Sequence, residues 1–124
     1  MTPNAFVVWT EIPVTDMARA RSFYEEVFGW TLQLDETGPN PIAVFSGAPG
    51  TPGAIGGHLY PGMPAGGAGP TIHLAVTDLA GATDRLKLAG GTVLQGPIEI
   101  PPGRFTYCTD PDGNSIGLFE PRAA

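Results

Sequence analysis

Positive charge is scarce in this chain. Six Lys and Arg face twelve Asp and Glu, a formal net charge of −6, and only 15% of its 124 residues are charged. The basic residues form no run that could neutralise a row of phosphates, which argues against nucleic acid and anionic membrane surfaces as partners. Cysteine is scarcer still. The single Cys108 has no intrachain disulfide partner and sits in the strand-like run Phe105-Thr-Tyr-Cys-Thr109, where it reads as a small buried hydrophobe. No apolar stretch approaches the roughly 18 residues of a membrane helix, and Met1-Thr-Pro-Asn-Ala-Phe6 lacks the charged and apolar regions of a secretory leader, so a cytoplasmic location is expected. There is no Gly-x-x-x-x-Gly-Lys phosphate loop and no Cys pair for structural zinc. Covalent nucleophilic catalysis is not expected.

What the chain does have is glycine and proline in quantity, 18 and 14 residues, together with 42% apolar residues. Glycine and proline cluster between apolar runs, as in Pro61-Gly-Met-Pro-Ala-Gly-Gly-Ala-Gly-Pro70, and so mark turns and connections of one sheet-rich globular domain rather than disorder. The chain also repeats itself once. At an offset of 62, Val14, Thr15, Asp16, Ala18, Ala20, Gly29 and Leu32 match Val76, Thr77, Asp78, Ala80, Ala82, Gly91 and Leu94. Each copy opens with an extended apolar run, 5–14 or 71–76, that ends at an Asp able to cap a helix through its carboxylate. Apolar residues at helical spacing then predict helices over about 16–28 and 78–89, amphipathic and packed by one face on a sheet. Strand patterns follow at 30–34, 42–45 and 54–60 in the first copy, and at 92–94, 104–109 and 115–120 in the second. Asp110-Pro-Asp-Gly113 predicts a type I turn joining the last two strands. Each copy therefore reads β-α-β-β-β, an α+β module.

Glu11-Ile-Pro-Val-Thr-Asp16, Ala20-Arg-Ser-Phe-Tyr-Glu-Glu-Val-Phe-Gly-Trp30, His73-Leu-Ala-Val-Thr-Asp78 with Gly90-Gly91, and Asp110-Pro-Asp-Gly-Asn114 together resemble the vicinal oxygen chelate superfamily. That superfamily includes glyoxalase I, bleomycin-resistance proteins and extradiol dioxygenases, and this chain is similar to its small single-domain members. The resemblance implies two βαβββ modules, 5–60 and 71–120, joined by a linker at 61–70. They would be related by a pseudo-twofold and form a cupped mixed sheet with the helices outside. It also implies where a divalent metal would sit, on four cup-facing strands. Three of those positions hold Trp9, Thr71 and Gly117, none a usual protein ligand. The remaining one falls in the strand at 54–60, where His58 is the candidate.

Other chemistry is possible in the same cup. Side chains two apart on a strand share a face, so Glu11 lies beyond Trp9 and His73 beyond Thr71. The repeat offset equates Glu11 with His73, and the pair could meet as acid and base, or join His58 in a shifted metal site. Each also has a plain structural reading: His73 as a hydrogen-bonded strand histidine, Glu11 at an interface, His58 at a rim. Trp9, His58, Tyr60 and Arg104 are candidates for contacting substrate; Arg104 could instead hold a neighbouring carboxylate. Trp9 or Trp30 could line the cup. Three functions stay open: a binding domain for a small apolar or aromatic molecule; a lyase, isomerase or dioxygenase acting through Glu11 and His73, with or without a divalent metal at a non-family position; and an interaction module. A homodimer is expected, because open sheet edges favour pairing.

Overall fold

A computed structural model describes residues 9–46 and 55–122. The first half contains β1 (Thr10–Val14), α1 (Met17–Phe28), β2 (Gln33–Asp35), β3 (Ile42–Phe45) and β4 (Gly57–Pro61). The second contains β5 (Ile72–Ala75), α2 (Leu79–Leu88), β6 (Thr92–Ile100), β7 (Gly103–Thr109) and β8 (Ser115–Pro121). Two four-stranded mixed sheets result, with orders β1-β4-β3-β2 and β5-β8-β7-β6, so the second repeats the first strand for strand. In each, the opening strand pairs in parallel with the last, and the other pairings are antiparallel. This is the α+β pair of βαβββ modules that the sequence repeat predicts. None of its helices among the described residues is long and apolar enough to cross a membrane.

The repeat has a local cause. Asp16 and Asp78 take nearly the same extended backbone (φ −137°, ψ 103° and φ −138°, ψ 98°), and each carboxylate accepts the amide N–H three residues on, from Arg19 and Gly81. Both halves thus start their helix by the same cap. On α1, Ala20, Phe23, Tyr24 and Val27 are buried; on α2, Leu79, Ala82 and Leu86. Gly29 ends α1 in the left-handed region (φ 73°), a conformation that other residues adopt only with strain. The helices touch each other and cover one face of each sheet, joining Ile12, Val14, Leu59, Ile116 and Leu118 in one core. Burial of each such side chain is worth about 1.5–3 kcal/mol. Cys108 lies wholly inside this core, and burial raises its thiol pKa to about 11.

Strand ends differ from the sequence pattern where other groups satisfy the backbone. Residues 5–8 and 54, expected to open two strands, lie outside the described residues. The strand expected at 30–34 shrinks to Gln33–Asp35. Leu32 instead gives its N–H to the Glu25 carboxylate and its carbonyl to Arg21, while Trp30 stacks on Tyr24, Phe28 and Phe45 at the edge of the core. Conversely β6 runs to Ile100 rather than stopping at Leu94. Its ladder with β7 shifts register twice around Gly96-Pro97, and a proline is tolerated because β6 is an edge strand.

The β7–β8 turn also bonds the halves to each other. Gly113 N–H closes the turn on the Asp110 carbonyl at 2.9 Å. Asp110 accepts from Asp112 N, Asn114 N, Asn114 Nδ2 and, across the halves, Tyr24 Oη at 2.8 Å. Asn114 Nδ2 also donates to Pro13 O, and Asp112 receives Thr15 and Arg19. Burial above all, and then the negative Asp110, raises the Tyr24 pKa, so the hydroxyl stays a donor.

Candidate functional site

Each sheet has a face turned away from the helices. On the first, alternation along β1 sends Ile12 and Val14 into the core and leaves Trp9 and Glu11 on the open side; on β4 it does the same with Leu59 against His58 and Tyr60. The parallel register sets Glu11 beside His58 and Pro13 beside Tyr60. On the second sheet His73 projects from β5 beside Gly117 of β8, among Phe105 and Tyr107 of β7 and Phe119 of β8.

The polar centre of the first face is a chain of three residues. Trp9 Nε1–H donates to His58 Nδ1 at 2.9 Å, and His58 Nε2 lies 3.1 Å from Glu11 Oε1. Indole nitrogen is only a donor, so Nδ1 is the acceptor, Nε2 carries the proton, and His58 donates to Glu11. Both imidazole nitrogens are thereby engaged. The His58 side chain is 15% exposed and that of Glu11 64%. Glu11 Oε2 has no protein partner among the described residues and faces open space. Glu11, His58 and Tyr60 line a cavity of about 340 Å³ with Asp35, Asn40 and Ile42. Hydrogen bonds from the Thr37 hydroxyl and amide lower the Asp35 pKa.

Glu11 therefore meets His58 and not His73. No hydrogen bond joins Glu11 to His73, and the two cavities that Glu11 lines do not include His73. The proposed three-residue metal set Glu11, His58 and His73 is not assembled, and the described residues hold no group of three or more His, Cys, Asp or Glu suited to a metal. The family's metal does not fit the residues present. Trp9 spends its N–H on His58, Thr71 Oγ1 bonds Ser115 Oγ, Gly117 has no side chain, and His58 has no free lone pair.

Arg104 points to the helix side of β7, opposite in alternation to Phe105 and Tyr107. Its Nε donates to Glu120 at 3.0 Å, which is the carboxylate-holding alternative of the sequence reading. Glu120 in turn caps α2 at Leu79 N, and that bond and Arg104 lower its pKa. Of the two tryptophans, Trp9 is on the open face, 46% exposed, and Trp30 is half-buried against the core. Phe105, Tyr107 and Phe119 are the site residues that the sequence reading passed over. Period-2 spacing of two aromatics in β7 was the available signal. Also overlooked was Gly113-Asn-Ser-Ile-Gly117, which spells Gly-x-Ser-x-Gly. It leads from a hairpin turn into β8, not from a strand into a helix, and so makes no nucleophile elbow.

A family model for the Glyoxalase/Bleomycin resistance protein/Dioxygenase superfamily matches residues 6–118. This chain belongs to that superfamily. CFP32 of Mycobacterium tuberculosis, whose name is that of a glyoxylase, is 33% identical over 96% of this chain and 45% of its own length. The anthracycline biosynthesis protein DauV of a Streptomyces species is 26% identical over 90% of this chain and 45% of its own. The chain thus spans about half the length of these curated relatives. Among solved structures, TnmS3, an antibiotic binding protein from Streptomyces sp. CB03234, aligns with a TM-score of 0.67 and 27% identity, covering 98% of this chain and all of its own.

Proposed function

We propose that this glyoxalase/bleomycin-resistance-like domain binds a small, flat aromatic molecule on the open faces of its sheets and does so without metal chemistry. The observation that carries this reading is the composition of those faces. Aromatic rings stand on both, and the first also carries the Glu11 carboxylate, steered by His58 and Trp9. Binding pockets are commonly apolar with a few placed polar groups. A hydroxyl or ammonium group of the ligand would donate to Glu11 Oε2. The names of TnmS3 and DauV, one for antibiotic binding and one for anthracycline biosynthesis, agree with such a ligand. We further propose a cytoplasmic homodimer, supported by exposed Leu34 and Leu94 on the edge strands β2 and β6.

The catalytic alternative, a lyase, isomerase or dioxygenase working through Glu11 and His73, has less support. Glu11 and His73 stand on different sheets, each beside another register neighbour, and no hydrogen bond joins them as an acid/base pair.

The test is a titration with 1,4-dihydroxyanthraquinone followed by tryptophan fluorescence. Quenching that saturates, and that the Trp9→Phe variant largely loses, is the expected outcome because Trp9 is the exposed tryptophan on the open face while Trp30 packs against the core. Light scattering should give about twice 12.9 kDa. Absence of saturable quenching by the wild-type protein would overturn the binding reading, and a monomer at high micromolar concentration would overturn the dimer.

A further inference from the structure

Register explains why the two halves differ chemically. In the first sheet the residue beside Glu11 is His58; in the second the residue beside His73 is Gly117. A Cβ built on Gly117 would fall 2.2 Å from His73 Nδ1 and 2.5 Å from Cε1, so the imidazole occupies the volume that any side chain there would need. Three aromatic rings frame it. Phe105 and Phe119 stand perpendicular to it at centroid distances of 5.1 and 6.4 Å, and Tyr107 is tilted at 5.7 Å. Packing alone thus orients the ring, since among the described residues no protein group hydrogen-bonds either nitrogen. With the Nδ1 edge against Gly117, the edge bearing Nε2 faces outward, and the residue is exposed. His58 is the contrast, with both nitrogens engaged. A fixed, unpartnered imidazole inside an uncharged aromatic frame suits a flat ring carrying an oxygen at its edge, because the frame offers ring contacts and the nitrogen one hydrogen bond.

Building on the binding function proposed above, we infer that His73 is a specificity-determining ligand contact of the second half: its outward nitrogen hydrogen-bonds an edge hydroxyl or carbonyl of an aromatic ligand seated on Tyr107 and Phe119, with the buried Phe105 holding the imidazole from behind, and Gly117 is required to seat the ring.

The probe is again 1,4-dihydroxyanthraquinone. H73F keeps a ring in the frame and removes the nitrogen, and G117A pushes the imidazole off the sheet. Both should bind the probe at least tenfold more weakly than wild type while circular dichroism shows them folded. The double variant H73F/G117A should lose no more than about the worse single variant, because the residues act as one unit. Should a variant misfold, the wild-type protein decides. It has two histidines, so imidazole ¹⁵N spectra contain two sets of signals, and the His73 set should move on saturation with the probe. Wild-type binding that both single variants retain within twofold, or a His73 signal unmoved at saturation, overturns this inference and leaves the binding function standing. A wild-type protein that does not bind the probe overturns both.

Discussion

Replacing Tyr24 with Phe removes one hydroxyl from the joint between the halves and nothing else. Tyr24 is 0% exposed, and its Oη donates to Asp110 Oδ2 at 2.8 Å. Hydrogen bonds to charged groups contribute about 1.5–3 kcal/mol. Asp110 keeps three other donors, Asp112 N, Asn114 N and Asn114 Nδ2, so its charge is not left bare and the low end applies, about 1.5 kcal/mol. For 124 residues the unfolding entropy is about 260 cal/mol/K, so the midpoint should fall by about 6 °C. The pH dependence is more specific. Burial first and Asp110 second raise the folded-state pKa well above 10, whereas the unfolded phenol titrates near 10. A raised folded pKa gives stability that is present below about pH 10 and lost as the pH climbs above it. The Phe variant has no such group, so its deficit should narrow between about pH 9 and 11. Urea unfolding followed by fluorescence and circular dichroism at several pH values measures this directly. A deficit under about 0.5 kcal/mol at pH 7, or one that stays constant up to about pH 11, would refute the reasoning.

The two helix caps give a paired prediction. D16A and D78A should each cost about 1 kcal/mol and by similar amounts, since both carboxylates bind the amide three residues on; thermal melts showing one variant unaffected would break the equivalence of the copies. Acid should bring a loss of its own. The Glu120 pKa is lowered in the folded state by the Leu79 amide and Arg104, so its contribution is present above the ordinary glutamate range near 4.3 and disappears as the pH falls through the folded value. E120Q should therefore flatten the acid limb of wild-type stability between about pH 5 and 3, and an unchanged limb would count against the cap.

Much of the fold could be read from the chain because its signals are local. An Asp followed by helical spacing and closed by glycine has the same meaning at Asp16 and at Asp78, and the structure caps both helices there. Signals that depend on a distant partner were not readable. Leu32 leaves the strand pattern because the Glu25 and Arg21 side chains, seven and eleven residues back, take its backbone groups. The length of β6 depends on β7 resuming its ladder beyond Gly96-Pro97. The site fell to the same limit. An offset of 62 correctly makes Glu11 and His73 equivalent, yet equivalence within a repeat is not contact, because each copy builds its own sheet. Each residue instead faces the neighbour that its parallel register supplies. For Glu11 that neighbour is 47 residues away, the donor His58. For His73 it is 44 away, and it is glycine. One copy has therefore closed its polar pair within the protein, and the other leaves its imidazole without a hydrogen-bond partner among the described residues.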